Sequence, residues 1–442
     1  MVAQQRQQVA LKDYEREPVP DHLRKSWWQM GLVWLGVGIT IAAFLLGGAV
    51  GAGLSLTDSF IAVFTGSLVL TVIASLCGVV GARTSLSTAM ISRFAFGSKG
   101  FYLTAMILAL GSYGWFGVQT GLFGDTAAVV MEQVVGRAWP TTLLIIIGGI
   151  LMTSTAVVGY KGIERLSNIA VPLMALLMLA SLGMVLRDHP WSQLAASPPP
   201  GDPMPLGVAI SIVAGSFMVG AVIAPDITRY ARSALDAVLA SVIGFQVGFV
   251  IVVFIGSILA HATGQSDLVQ IMVTLGWGVL AFLVLILAQW TTNDNNLYSA
   301  ALAFSVMLRQ WPKWKLTALA GVLGTLLAVT GIYGQFVPWL QVLSALVPPL
   351  GGVYVADYFL VGRERYRFAN IERVEPIRYE SFAAWILGAL VGFATTPQPT
   401  GWGLFTLTTV SAIDAFIVAV LAQVVLGRVT ASRARSLAAA GD

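Results

Sequence analysis

Twelve apolar stretches follow one another along this chain with little between them. They run over about 28–53, 58–82, 101–131, 140–159, 165–186, 205–226, 235–263, 272–307, 315–332, 336–360, 379–396 and 403–427. A helix needs roughly 20 apolar residues to cross the hydrocarbon of a bilayer. A chain built almost wholly of such stretches has too little polar surface left to face water. Composition agrees, with 57% hydrophobic and 10% charged residues, where soluble domains carry roughly 25% charged. The stretches are apolar all round and about twice the length of a membrane strand, which would alternate over roughly ten residues. They read as helices, which satisfy their own backbone in lipid. The expected fold is an all-α integral membrane protein of twelve transmembrane helices.

The basic residues fix an orientation. With the N-terminus placed in the cytoplasm, 23 of the 25 Lys and Arg fall on the cytoplasmic side, leaving only Arg137 and Arg187 opposite. Lys and Arg collect on the cytoplasmic side of membrane proteins, and one span more or fewer in the middle would scramble this count. The expected layout is a cytoplasmic tail over 1–27, one transmembrane domain over 28–427 and a second cytoplasmic tail over 428–442. The first 25 residues lack the apolar core and cleavage site of a signal peptide, so the first stretch is expected to stay as a span. Cys77 is the single cysteine, which excludes an internal disulfide and a cysteine metal cluster. The basic residues form no patch, so nucleic acid is not an expected partner; the lipid bilayer is. With three histidines (His22, His189, His261) and no metal, nucleophile or phosphate-loop motif, an enzyme is not expected.

Polar groups inside a span are costly and point to function. Late in the eighth stretch, Ala288-Gln289-Trp290-Thr291-Thr292-Asn293-Asp294-Asn295-Asn296 is mostly polar. Gln289, Asn293 and Asn296 share one helical face, and Thr292, Asn296 and Ser299 an adjoining one. Two readings stand open: a polar site, or a hydrogen-bond network between helices. The sixth stretch carries Gly215-Ser216-Phe217 and Gly220, and the first carries seven glycines and threonines between Gly36 and Gly53. Glycine permits a helix break, and paired broken helices in the two halves mark a midplane site in transporters; close helix packing is the competing reading. Ser112, Trp115 and Gln119 form a stripe on the third stretch. Trp115 lies too deep for the interfacial belt, where Trp usually sits, and could stack on a flat ligand or pack in the core. Of the intramembrane acids Asp125, Asp294 and Asp414, the last is expected to be structural. Asp226 and Asp357 read as cytoplasmic helix ends beside Arg229 and Arg363. A channel would also use broken helices.

These motifs resemble those of the nucleobase–cation symporter family 1, most closely its bacterial cytosine permeases. The likeness covers about 20–427 and is carried by Gly47 to Ser55, Arg93-Phe94-Ala95-Phe96-Gly97, Gly114-Trp115-Phe116-Gly117, Gly215-Ser216-Phe217, Trp290 to Asn295, Pro348 to Gly352 and Ala356-Asp357-Tyr358. The resemblance implies a core of two inverted five-helix repeats, about 28–186 and 205–360, with peripheral helices over 379–427 and helices one and six interrupted. It implies a monomer in the bacterial inner membrane, with no cofactor, that imports a small planar nucleobase-like ring with sodium by alternating access. Trp115 and Phe217 would sandwich the ring, and the backbone near Ser216 and Gly220 would read its edge. Sodium would be held by the hydroxyls of Thr291 and Thr292 and the carbonyls of Ala288, Thr40 and Ala43. Two positions depart from the cytosine-permease pattern: Ser112 stands where the family has Gln, and Ala288 where it has Asn. Gln119 and Gln289 are the nearest replacements. A site that loses ring-pairing groups changes its substrate, so a purine, hydantoin, allantoin or vitamin-precursor pyrimidine, and coupling to protons, are the alternatives to cytosine and sodium.

Overall fold

The computed structural model describes residues 17–440 other than 159 and 309, and the described residues form helices and connecting turns with no strand. The first expected span is two helices, α1 (Trp27–Gly38) and α2 (Ile41–Gly53), bent by 67° at the break. Thr40 between them is extended, and its Oγ1 accepts the Ala43 N–H at 3.3 Å, capping α2. α3 (Leu56–Thr84) follows, then α4 (Thr88–Phe96). α4 occupies the stretch 83–100, which reads in sequence as a polar loop. Ser87 caps it, and Ile91, Phe94 and Phe96 bury its apolar face. α5 (Phe101–Val135), α6 (Thr141–Val158) and α7 (Tyr160–Asp188, with Pro172 inside) match the next three stretches. α8 (Trp191–Ala196) is a short turn of helix.

The sixth stretch is broken twice, into α9 (Leu206–Ser216), α10 (Met218–Val222) and α11 (Pro225–Thr228). Phe217 is the residue at the first break, with φ −118° and ψ 16°. α12 (Ala234–Ser241) runs through a π-helical segment, Val242–Phe249, into α13 (Val250–Thr263). The eighth stretch starts later than its apolar run. α14 (Leu268–Thr274) is capped by Asp267, Gly276 turns the chain at φ 73°, and α15 (Val279–Met307) begins after it. α16 (Lys313–Val329) is followed by a 3-10 turn at Ile332–Gln335, then α17 (Phe336–Leu346) and α18 (Pro348–Ala356). α19 (Tyr379–Thr395) and α20 (Ser411–Ala440) end the chain. α20 begins eight residues past the expected start at 403, where Gly401, Gly403 and a cis Gln398–Pro399 bond hold an irregular loop. Among the described residues, six helical segments are long and apolar enough to cross a membrane, and the bent pair α1–α2 makes a seventh.

Gly47 and Gly51 of the first span serve packing, whereas Gly36 has open space around it. A Cβ on Gly47 would lie 2.1 Å from the Val253 carbonyl oxygen and 2.8 Å from Gly256 Cα. α2 and α13 therefore touch backbone to backbone, and Ser257 Oγ donates to the Gly47 carbonyl at 2.9 Å across the seam.

A buried ionic knot closes the end of the molecule nearest the N-terminal segment. Asp357 is wholly buried and accepts both Arg378 terminal nitrogens (2.9 and 3.0 Å), Arg365 (2.8 Å), the Tyr366 hydroxyl (2.8 Å) and Gln423 (3.0 Å). Arg363, the sequence-stretch neighbour expected beside it, instead lies over the Tyr358 ring. Arg378 also donates to the Phe94 carbonyl at 2.9 Å, so Arg378 ties α4 to Asp357, which follows α18, and Gln423 brings α20 to the same carboxylate. Burial, and then the Asp357 charge, push the Tyr366 phenol well above its usual range. Burial works against the Arg378 charge, but Asp357 and Glu380 outweigh it and hold the guanidinium above its ordinary value.

Candidate functional site

A cavity of about 710 Å³ lies among α1, α2, α5, α7, the broken sixth span, the π segment and α15. Its wall includes Trp115, Ser112 and Gln119 of α5; Ser216, Phe217 and Gly220 of the broken span; and Thr40, Ala43, Thr291 and Thr292. These residues come from stretches far apart in sequence, and the breaks in helices one and six bring them together. The cavity also reaches toward the side that carries the N-terminal segment, where Val33, Trp34, Asp226 and Ile227 line it. On the opposite side, the Ile332–Gln335 turn is pressed against α5, with Tyr333 packed at Gly121 and its hydroxyl donating to Asp267 at 2.5 Å.

The aromatic walls are braced by edge contacts. Trp115 meets Phe336 at 5.9 Å between centroids and 68° between planes, while Phe217 meets Phe245 at 5.4 Å and Phe249 at 5.7 Å, both steeply inclined. Gly220 makes room for the Phe217 ring, since a Cβ there would lie 2.4 Å from its Cε1. Such rings, anchored at their rims, offer flat apolar surface to a planar ligand.

Most polar side chains of the wall are turned onto their own backbone. Ser112 Oγ donates to the Leu108 carbonyl at 3.2 Å, and Ser216 Oγ to Val213 at 2.7 Å. Gln119 differs. It is 1% exposed, and its Oε1 has no hydrogen-bond partner among the described residues. Buried polar atoms are nearly always paired, and Gln289 Oε1 and Gln423 Oε1 share this state among the described residues.

The polar run of α15 divides cleanly. Thr291, Thr292 and Asn296 line the cavity. Gln289 and Asn293 face α5: Gln289 Nε2 donates to Thr126 Oγ1 at 3.2 Å, and Asn293 Nδ2 to the Phe116 carbonyl (3.2 Å) and Thr120 Oγ1 (3.0 Å). Gln289 therefore stands outside the cavity, in the helix–helix network that was its competing reading. Asn296 shares the face of Gln289 and Asn293 and donates to Asn293 Oδ1 at 3.3 Å, but it sits further along α15, where that face meets the cavity. Asp294 looks toward α6, accepting from Thr155 Oγ1 at 2.8 Å. Asp414 accepts the Thr408 N–H and hydroxyl at 3.1 and 2.6 Å, a helix-end role. The side chains of Asn295 and Ser299 lie outside the described residues.

Ala288 does not line the cavity, but its carbonyl accepts both the Thr291 hydroxyl (3.0 Å) and the Thr292 hydroxyl (2.8 Å). The oxygens of Ala288, Thr291 and Thr292 thus form one cluster, and Thr40 and Ala43, at the break in the first span, line the same cavity as the two threonines. An all-oxygen donor set suits a hard cation. Trp34, Phe249, Val171 and Pro172 also line the wall, and the sequence does not single them out. Trp34 lies near the start of its stretch, where an interfacial belt explains a tryptophan equally well. Pro172 was the legible one of the four, since a proline inside a span removes a backbone hydrogen bond.

Comparison with known proteins places this arrangement. A family profile described as permeases for cytosine/purines, uracil, thiamine and allantoin matches residues 18–426. The cytosine permease of Escherichia coli (strain K12) is 35% identical over 380 residues, covering 86% of this chain and 88% of the relative. The hydantoin permease of Microbacterium maritypicum is 23% identical, covering 83% of this chain and 80% of the relative. In fold, the chain is similar to the inward-facing conformation of Mhp1, with a TM-score of 0.81 at 21% identity over 94% of this chain and 93% of that one.

Proposed function

The chain belongs to the family of permeases for cytosine/purines, uracil, thiamine and allantoin, and we propose from that premise that it imports a cytosine-like planar heterocycle together with sodium. It is a multi-pass membrane permease of the nucleobase and hydantoin type, a transporter and not an enzyme. In the proposed layout, twelve spans in two inverted repeats cross the bacterial inner membrane with both termini in the cytoplasm, and one chain is the working unit.

The observation that carries the reading is the cavity wall. The ring lies between Trp115 and Phe217, and each aromatic contact is worth about 0.5–1.5 kcal/mol beyond burial. Gln119 Oε1 accepts a ring N–H. Backbone groups freed at the Phe217 break read the remaining edge, because Ser112 and Ser216 are committed to their own helices. Sodium would be held by the oxygens of Thr291, Thr292, Ala288, Thr40 and Ala43, an all-oxygen set of the kind a hard cation takes. Since the wall extends to Trp34 and Asp226 on the side of the N-terminal segment, the conformation described is read as open to the cytoplasm, the releasing state of an importer.

Thermal melting of the purified chain in detergent tests the site. A ligand that binds only the folded state raises the melting temperature. Cytosine, or another nucleobase-like ring, raises it in sodium more than in choline, and Trp115→Ala abolishes the rise. A panel of pyrimidines, purines, hydantoins and allantoin that leaves the transition unmoved in both salts overturns the reading.

A further inference from the structure

Three arginines that the transport site does not use converge on one turn of helix. Arg83, at the end of α3, lies over the Phe359 ring at 5.7 Å. Arg363 lies over the Tyr358 ring at 5.7 Å, and the two rings are 4.9 Å apart. Arg428 of α20 donates to the Leu360 carbonyl at 3.4 Å. All three residues are exposed, and none of them makes an ion pair among the described residues. The nearby carboxylates are already engaged: Asp357 by Arg378 and Arg365, and Glu364 by Arg367. Three exposed positive charges from three separate elements around one turn make a site that attracts an anion.

The surroundings say which anion. Leu360 and Phe359 are exposed, as are Val72 of α3 and Leu421, Val425 and Val429 of α20. In a membrane protein, these apolar faces lie against acyl chains, and the arginines cap them where the spans end. We propose that Arg83, Arg363 and Arg428 form a binding site for the headgroup of an anionic phospholipid, whose phosphodiester they hold while its tails lie along α3 and α20. The proposal rests on the membrane placement of these helices and not on the identity of the transported solute. A basic side chain near an anionic headgroup is worth about 1 kcal/mol, or roughly fivefold in affinity, and guanidinium forks suit phosphate oxygens.

Native mass spectrometry of the purified full chain in detergent, titrated with phosphatidylglycerol, phosphatidylcholine or inorganic phosphate, decides it. A saturable phosphatidylglycerol adduct is expected, with no equivalent from phosphatidylcholine and no displacement by phosphate. The triple variant Arg83→Gln, Arg363→Gln, Arg428→Gln weakens it on the order of a hundredfold. Arg367→Gln, in the same loop but paired with Glu364, leaves it unchanged. If the triple variant does not melt cooperatively in lipid-free detergent, the three single variants serve, each expected to lose roughly fivefold. Equal binding of the two lipids, undiminished binding by the variants, or displacement by free phosphate overturns the lipid site, the last assigning it to a soluble phosphate.

Discussion

At the scale of single residues, the site depends on small side chains beside large rings. Gly220 is the sharpest case, because any Cβ there meets the Phe217 ring at 2.4 Å. The ring must swing away, and a planar ligand loses one wall of its slot. Gly220→Ala is expected to lower apparent substrate affinity by roughly tenfold, the worth of one aromatic face at about 1.4 kcal/mol, with little change in melting temperature without substrate. Uptake kinetics check this, and an unchanged KM would remove Phe217 from the slot. The residue scale is also where sequence and cavity lining can be set side by side. A tryptophan too deep for the interface and a serine and glutamine on its stripe pointed at the wall that Ser112, Trp115 and Gln119 now form. Sequence was blind where two faces of one polar helix compete. Gln289 and Thr292 look alike in sequence, and only the rotation of α15 against α5 assigns one to packing and the other to the cavity.

At the scale of elements, breaks and seams divide the labour. The break at Phe217 was legible because glycine and serine flank an aromatic mid-span. The onsets of α15 and α20 were not, since apolar runs continue through Gly276 and through 403–410, where turns rather than hydropathy set the boundary. The seam between α2 and α13 has no free space. Gly47→Ala is expected to destabilise the protein by about 1–3 kcal/mol, the usual cost of overpacking, since Val253 backbone blocks the new methyl at 2.1 Å. Melting in detergent measures it. The Asp357 knot gives a prediction in pH. Tyr366 holds its proton above the usual phenol range because burial, and then Asp357, oppose its charge. The unfolded chain gives up that proton near pH ~10 while the folded chain keeps it. Its contribution to stability is therefore complete below that pH and is lost as pH rises toward the folded value. Tyr366→Phe is expected to flatten this alkaline fall in melting temperature, and an unchanged slope would contradict the coupling.

At the scale of the whole molecule, the account joins one cavity to one direction of transport. In the proposed layout the side that carries the N-terminal segment faces the cytoplasm; the cavity reaches toward that side past Trp34 and Asp226, and the Tyr333–Asp267 contact lies on the other. What hydropathy could not supply was the solute. Donors and acceptors within a wall are set by how each side chain is already bonded, as with Ser112 turned onto Leu108 and Gln119 left open. The most direct measurement is uptake of labelled cytosine into proteoliposomes holding the purified chain, under an inward sodium gradient or with choline in its place. The account predicts saturable uptake that needs sodium and is lost in Trp115→Ala. Absence of saturable uptake of cytosine or of any other nucleobase-like ring, under sodium and under proton gradients alike, in protein that melts cooperatively, would contradict it.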